Sequence, residues 1–248
     1  MTSPVAGDAT AAPSTALVVG FARTGVAVAT ALRRRGTQVV VIDDRPSDAL
    51  EESALALGCS FAGSPARGEL VRLVRDAEVV VVSPGVPPSH GVFAVDGANI
   101  VSEVELAYGL TETPIVGVTG TNGKTTVTLL VERLLAAGGI RTAAVGNIGR
   151  PLIESLDAGL DLLVCELSSF QLAYTKRFRP AVGSWINFAP DHLDWHDSLE
   201  SYAAAKARIF AMQNAEDVAI ANADDSVVMA AADRSAGRRP RPPACRDA

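Results

Sequence analysis

Short apolar runs of strand length alternate with segments of helical period from residue 16 to about residue 230. This alternation favours an α/β fold with largely parallel sheets, because a parallel strand can return to the same edge only through a crossover. The pattern divides into two units, which we place at residues 16–108 and 109–233. Residues 1–15 are predicted to be a disordered tail, and residues 234–248, rich in arginine and proline, do not continue the pattern.

Composition excludes several classes of protein. Of the 248 residues, 48% are hydrophobic and 20% are charged, and the net charge is -6. No basic block is long enough to follow a nucleic acid backbone or an anionic membrane surface, and no apolar run approaches the roughly 18 residues of a spanning helix. The three cysteines, Cys59, Cys165 and Cys245, form no paired motif. We therefore expect a cytoplasmic protein without nucleic acid or membrane partners.

The first unit begins like a dinucleotide-binding fold. A short strand (16–20) leads into the turn GFARTG, and the next strand ends at Asp43 and Asp44, where a ribose-binding carboxylate is expected. The second fingerprint glycine is replaced by Ala22, and the bulky Arg23 leaves little room for a pyrophosphate lying across the turn. We predict a Rossmann-like domain that holds a nucleotide-like ligand more loosely than it would hold NAD(P).

The second unit opens on VGVTGTNGKTTV, residues 116–127. A glycine-rich turn between a strand and a helix presents backbone N–H groups to a polyphosphate, while Lys124 reaches the phosphates and the hydroxyl of Thr125 meets Mg²⁺. The helix that follows carries an apolar stripe and ends at a glycine pair. The stripe consists of Val127, Leu130, Val131, Leu134 and Leu135, and the predicted nucleotide-binding residues are Gly120, Thr121, Asn122, Gly123, Lys124, Thr125 and Thr126.

Three further features could carry chemistry. Glu166 ends a continuous apolar strand in CELSSFQL, where ligands of open α/β sheets bind, so it could hold a metal near the phosphates or simply be solvated. INFAPDHLDWH places Asp191, His192, Asp194 and His196 beyond another strand, as metal ligands or as capping and surface groups. By spacing alone, Lys206 is an ordinary cation on an amphipathic helix.

Together these motifs resemble the Mur ligases, ATP-dependent enzymes that form amide bonds in peptidoglycan precursor synthesis. GTNGKTT is the form of phosphate loop that this family uses. GNIG (146–149), ELSSFQL, N-x-x-PDHLD-x-H and Y-x-x-AK-x-R-I are similar to the members that add D-glutamate to UDP-N-acetylmuramoyl-L-alanine. The resemblance runs from about Leu17 to Asp225. It implies that ATP converts the L-alanyl carboxylate to an acyl phosphate, which the amine of D-glutamate attacks.

The resemblance also implies residue roles. Lys124, Glu166, His192 and Lys206 match catalytic positions, and Thr125, Glu166, His192 and Lys206 match residues around two Mg²⁺ sites, with Lys206 expected to be carbamylated. Arg23, Thr24, Asp44 and Arg45 match the uracil-recognising turns of the family, Ser83, Pro84 and Gly85 lie near the diphosphate, and Asn147 contacts the muramoyl-alanyl part of the substrate.

Family members have three domains, and this chain ends partway through the second. We therefore expect a fragment or prematurely terminated product that binds the UDP substrate but does not by itself form the amide bond. Two other hypotheses stay open: another Mur-type or folylpolyglutamate-type ligase, and a non-catalytic P-loop module that acts as a nucleotide-dependent switch.

Overall fold

The computed structural model describes residues 11–240, so most of the predicted N-terminal tail and the last eight residues lie outside the described part of the chain. Its strands are β1 (Thr15–Val19), β2 (Gln38–Asp43), β3 (Ser60–Gly63), β4 (Val79–Val82), β5 (Ile100–Ser102), β6 (Ile115–Thr119), β7 (Thr142–Gly146), β8 (Leu162–Glu166), β9 (Val182–Trp185) and β10 (Val218–Ala221). Its helices are α1 (Arg23–Arg34), α2 (Asp48–Ala56), α3 (Arg67–Asp76), α4 (Glu103–Gly109), α5 (Lys124–Ala137), α6 (Ser169–Ala173), α7 (Leu199–Ala211) and α8 (Ser226–Ala232).

Two parallel sheets organise these elements, which confirms the predicted α/β class. The first has the strand order β3-β2-β1-β4-β5, and the second has the order β10-β9-β6-β8-β7. Every pair of neighbouring strands is parallel. In each sheet the first strand of the unit lies in the middle, so the loops that follow β1 and β6 open at the centre of a sheet edge. The predicted domain boundaries at residues 108 and 233 stay predictions.

The first sheet is covered on both faces, which explains its continuous apolar strands. All four valines of β4 are buried. On one face Val18 and Val81 pack with Val28 and Leu32 of α1. On the other face Leu17 and Val80 belong to a separate cluster with residues of α3. The sequence pattern did not predict every element of this unit. It missed the helices α2 and α3 and the edge strand β3, and it did not separate β5 from α4.

The stripe predicted on α5 is only partly buried. Val127, Val131 and Leu135 pack against Val116 and other residues of the second sheet. Leu130 and Leu134, in contrast, are 55% and 63% exposed, so the apolar stripe extends beyond the surface that the helix covers. The helix ends at Ala137, directly before the predicted glycine pair.

One hydrophobic cluster runs through both units. It contains Val28 and Leu32 of α1, Val104 of α4, Leu152 beside the second sheet and Leu163 of β8. Polar contacts reinforce this junction. The buried carboxylate of Glu105 accepts hydrogen bonds from the backbone N–H groups of Lys176, Arg177 and Phe178, at 2.8 to 2.9 Å. The backbone N–H of Ile153 donates to Glu103 Oε1 at 2.7 Å.

The described ends of the chain are attached to the sheets. Thr15 begins β1, and Ser14 Oγ donates to Glu78 at 3.0 Å. Near the other end, the backbone N–H of Arg238 donates to the carbonyl oxygen of Asp217, and the backbone N–H of Ala219 donates to that of Arg238. Between residues 11 and 240 no helix is both long and apolar enough to cross a membrane.

Candidate functional site

A cleft of about 490 Å³ opens at the carboxyl ends of β1, β2 and β4. Because β1 and β4 are neighbours whose connections run to opposite sides of the sheet, this is the position at which open α/β sheets bind ligands. The residues predicted to bind the UDP substrate in this unit all line the cleft: Arg23, Thr24, Asp44, Arg45, Ser83, Pro84 and Gly85. Asn147, the eighth predicted substrate residue, lies at the second sheet instead.

The two adjacent aspartates at the end of β2 have different tasks. Asp43 uses its carboxylate locally, because Oδ2 accepts from the backbone N–H of Phe21 at 2.8 Å and Oδ1 from that of Arg45 at 2.9 Å. Asp43 therefore ties the GFARTG turn to the turn after β2. The side chain of Asp44 is 58% exposed and faces the cleft.

The glycine-rich loop connects β6 directly to α5. Gly123 adopts a φ of 77° at the N-cap of α5, a left-handed conformation that favours glycine. Asn187 holds the loop in place, because its Oδ1 accepts hydrogen bonds from the backbone N–H groups of Thr121 and Asn122, both at 3.0 Å. Sequence reasoning assigned no role to Asn187, although it stands in the N-x-x-PDHLD-x-H motif. Lys124 Nζ folds back to the carbonyl oxygens of Gly120 and Thr121, at 3.0 Å each.

Glu166 joins the loop to the strand beside it. Its side chain is buried at the end of β8, where Thr125 Oγ1 donates to Oε2 and Asn147 Nδ2 donates to Oε1, both at 2.8 Å. Gly146 allows this approach: its φ is 98°, and a Cβ there would collide with the backbone oxygen of Glu166. Thr125, Asn147 and Glu166, which are predicted from separate motifs, therefore meet at one point.

Lys206 is buried, not solvated as its position on an amphipathic helix would indicate. It is 1% exposed, its Nζ donates to the carbonyl oxygen of Gly120 at 2.8 Å, and Nζ lies 4.7 Å from the centre of the Tyr202 ring. The pKa of Lys206 is lowered to about 7, mainly by burial and also by the neighbouring positive charge of Lys124, while the negative charge of Asp191 opposes the shift. Both lysines donate to the carbonyl oxygen of Gly120, so two cations meet beneath the loop.

The two histidines of the PDHLDWH segment differ in their surroundings. His192 has a φ of 52° and lies beside Asp191, and its ring centre is 4.9 Å from that of Phe170. His196 is buried and hydrogen-bonded to Ser169 Oγ at 2.9 Å, and burial lowers its pKa. Within residues 11–240, no three His, Cys, Asp or Glu side chains are close enough to hold a metal ion. A transition-metal site of the H-x-D-x-H kind is therefore not formed there.

Two protein-family models match this chain. The Mur ligase middle domain matches residues 118–241, and the MurD-like N-terminal domain of the Mur ligases matches residues 14–102. The chain belongs to the Mur ligase family. The first match covers the second sheet with its phosphate loop, and the second covers the first sheet with its cleft.

Curated relatives of the family align with most of this chain. It is 45% identical over 222 residues to a UDP-N-acetylmuramoylalanine--D-glutamate ligase of Pelobacter propionicus, with 86% of this chain and 49% of that protein aligned. It is 44% identical over 237 residues to the protein of the same name in Geobacter metallireducens, with 89% and 50% aligned. The chain thus spans about half the length of these curated relatives.

Solved structures of the family share the fold. A UDP-N-acetylmuramate:L-alanyl-gamma-D-glutamyl-meso-diaminopimelate ligase from Neisseria meningitides superimposes with a TM-score of 0.59 at 16% identity, covering 91% of this chain and 77% of that one. A murein peptide ligase from Psychrobacter arcticus gives a TM-score of 0.55 at 16% identity, covering 92% and 53%. At this level of identity the likeness concerns the fold alone.

Proposed function

We propose that this chain carries the UDP-substrate and ATP sites of a cytoplasmic ligase that adds D-glutamate to UDP-N-acetylmuramoyl-L-alanine in peptidoglycan synthesis. The meeting of Thr125 and Asn147 on Glu166 is the observation that carries the proposal, because it joins the phosphate loop to the residue predicted to contact the substrate. In the proposed reaction ATP phosphorylates the L-alanyl carboxylate. The D-glutamate amine then displaces phosphate from the acyl phosphate, and the amide bond forms.

The residues of the loop are suited to charge neutralisation and positioning, which are the main contributions of a protein to phosphoryl transfer. The loop ends at the N-terminus of α5, where unpaired backbone N–H groups and the helix dipole attract phosphate oxygens. The ammonium group of Lys124 already lies against the loop, and a phosphate can replace the carbonyl oxygens of Gly120 and Thr121 as its acceptor.

The oxygen atoms beside the loop fit Mg²⁺. Thr125 Oγ1 and Glu166 Oε2 are 2.8 Å apart, and both are the hard oxygen ligands that this ion prefers. Mg²⁺ commonly binds to one or two protein oxygens, with water and phosphate completing its shell, so a larger protein cluster is not required. Bound there, Mg²⁺ neutralises charge on the phosphates. Thr125 and Glu166 would hold one ion, and we keep His192 as a proposed neighbour of the metal sites.

We propose that Lys206 is carbamylated and that its carbamate supports a second Mg²⁺. An ammonium group in this buried place has a carbonyl oxygen and an aromatic ring beside it and a second cation nearby. In the modification, the amine lone pair attacks the carbon of CO₂ and the nitrogen releases a proton, which gives an anion. Incubation with ¹³C-labelled CO₂ should produce a carbamate carbon resonance that is absent from Lys206→Arg. The same resonance in both proteins would contradict the modification.

Binding measurements test the proposed function with one variant for each site. Calorimetry on the 248-residue chain should detect UDP-N-acetylmuramoyl-L-alanine and Mg²⁺-ATP as separate ligands. Arg45→Met should weaken only the first interaction, and Lys124→Met only the second, because Arg45 lines the cleft and Lys124 lies under the loop. A folded chain that binds neither ligand would exclude the proposal. Nucleotide binding without UDP-substrate binding would favour the switch-module hypothesis.

A further inference from the structure

His90 lies behind the substrate cleft, and both nitrogens of its ring are engaged. The ring is nearly buried, with 9% of the side chain exposed. Nδ1 accepts a hydrogen bond from the backbone N–H of Val92 at 3.1 Å, which caps the short 3₁₀ helix Gly91–Ala94. Nε2 lies 3.2 Å from Oδ1 of Asp44, one of the residues that line the cleft.

These two contacts determine the tautomer of His90. A backbone N–H can only donate, so Nδ1 must present its lone pair to Val92, and the ring proton of the neutral imidazole is on Nε2. Nε2–H therefore donates to the carboxylate of Asp44. Because the second contact of the ring is to the backbone, the orientation of the Asp44 side chain depends on a fixed part of the first unit.

This arrangement matters because Asp44 is exposed. An exposed carboxylate explores several rotamers, and ordering it on ligand binding costs conformational entropy. Asp43, its neighbour, is already held by two backbone N–H groups. A hydrogen bond from His90 to Oδ1 orders Asp44 before the ligand arrives and leaves Oδ2 for a donor on the ligand.

We propose that His90 is a positioning residue for the substrate cleft, and that it holds the Asp44 carboxylate ready to accept a hydrogen bond from a donor group of the nucleoside. This inference rests on the proposed function, since it assumes that the cleft binds the uridine part of the UDP substrate. His90 itself does not line the cleft, so its effect on binding passes through Asp44.

Two substitutions separate the contacts of His90. In His90→Asn, the amide oxygen can take the place of Nδ1 and keep the cap on Val92, but the side chain is too short to reach Asp44. In His90→Gln, the amide nitrogen can take the place of Nε2 and donate to Asp44, while the cap is lost. A purely structural role predicts that His90→Gln, which loses the cap, affects binding at least as strongly as His90→Asn. A positioning role predicts a larger effect of His90→Asn.

Calorimetric titration with UDP and with UDP-N-acetylmuramoyl-L-alanine, together with thermal unfolding, measures the difference. His90→Asn should weaken both ligands by roughly five- to tenfold without a matching loss of melting temperature, and His90→Gln should bind within about twofold of the unmodified chain. In an Asp44→Ala background, His90→Asn should add no further loss, because the two residues act in series.

Two results would overturn the inference: unchanged affinity in His90→Asn, or an additional loss in the Asp44→Ala background that equals the loss in the original chain. Both outcomes are distinct from a failure of the proposed function. If the unmodified folded chain binds no UDP ligand, the function assigned to the cleft is wrong. If the unmodified chain binds and His90→Asn binds equally well, only the role of His90 is wrong.

Discussion

The side chains around Glu166 illustrate how single residues shape the proposed nucleotide site. Thr125 comes from the start of α5, Asn147 follows β7 and Glu166 ends β8, yet two hydrogen bonds of 2.8 Å unite them. The carboxylate therefore has a fixed orientation before any ligand binds. Such ordering lowers the cost of assembling a metal site, because its ligands do not have to search for their positions.

Removing the hydroxyl of Thr125 should impair metal-dependent nucleotide binding. We expect Thr125→Val to weaken Mg²⁺-ATP binding on the order of tenfold or more, since one oxygen ligand and one hydrogen bond to Glu166 are lost. Thr125→Ser keeps the hydroxyl and should bind like the unmodified chain. Calorimetric titration with Mg²⁺-ATP, repeated with ATP in EDTA, measures the effect. An equal loss in EDTA would show that Thr125 does not act through the metal.

Sequence patterns predicted the positions of some candidate residues better than those of others. The positions of Lys124, Thr125 and Glu166 could be predicted from the sequence, because a glycine-rich turn and a strand end have fixed positions in a parallel sheet. The burial of Lys206 could not be predicted from the sequence. Helical periodicity shows which residues share a face of α7, but not which face is covered by another element. Only the packing of that helix beneath the loop brings Nζ to Gly120. Asn187 and His90 contact residues that are distant in the sequence, Thr121 and Asp44 respectively. No local sequence pattern encodes such contacts.

At the scale of elements, α4 connects the first unit to the second through hydrogen bonds. Its residue Glu105 accepts three backbone hydrogen bonds from the segment before β9. Glu105→Gln replaces one acceptor oxygen by an NH₂ group that faces backbone donors. We expect the free energy of unfolding to fall by roughly 2–3 kcal/mol. Urea denaturation measures this, with the exposed Glu112→Gln as the matched control. Equal stability of both variants would contradict the role of Glu105.

Glu103, at the start of the same helix, should make stability depend on pH. Its pKa is raised to about 7, mainly because the side chain is buried; the charge of Glu154 contributes to the rise, and hydrogen bonds from Ile153 and Leu152 oppose it. The folded state thus keeps a proton on Glu103 between pH 4.5, its ordinary value, and about 7. Since the folded state binds more protons than the unfolded state in this window, its stability falls as the pH rises.

Glu103→Gln should remove this dependence. Its amide oxygen can still accept from Ile153, and no charge has to be buried at high pH. One pKa unit corresponds to about 1.4 kcal/mol, so above pH 7 the variant should be more stable than the unmodified chain by up to roughly 3 kcal/mol. Below pH 5 the two should be nearly equal. Urea denaturation from pH 5 to 8 tests this, with the exposed Glu112→Gln as control. Parallel pH curves for Glu103→Gln and the unmodified chain would refute the prediction.

The partly exposed apolar stripe of α5 shows what the hydrophobic pattern of a single helix leaves out. Hydrophobic spacing identifies which side of a helix is apolar, but not how far the surface beneath it extends. The helix covers β6, β7 and β8, so Val131 reaches the sheet while Leu134 points away from it. The strand order of the second sheet, which sets that geometry, depends on long-range pairing that no single segment reveals.

At the scale of the whole molecule, uncovered apolar side chains should promote association. Leu130, Leu134 and Ile220 are exposed, and Ile220 pairs in register with Ser184, on the face of the sheet that α5 covers. Leu134→Lys should change the free energy of unfolding by less than about 0.5 kcal/mol and reduce concentration-dependent light scattering. Val131→Lys, which places a charge on the partly buried side of the same helix that packs against the sheet, should lower the free energy of unfolding more than Leu134→Lys does. A strong loss of stability in Leu134→Lys would show that Leu134 is covered in solution.

The hydrophobic cluster shared by both units has a consequence for selectivity. Since Leu32, Val104 and Leu163 belong to one packed cluster, the first sheet with its cleft and the second sheet with its loop are joined through a shared hydrophobic core. Under the proposed function, a substrate is anchored by its uridine at one end and must offer its carboxylate at the other. The spacing between the two sites would then select substrates by their length. Under the same proposal, a UDP-sugar whose acidic arm is one residue shorter or longer should be a poor substrate even when its nucleotide binds normally.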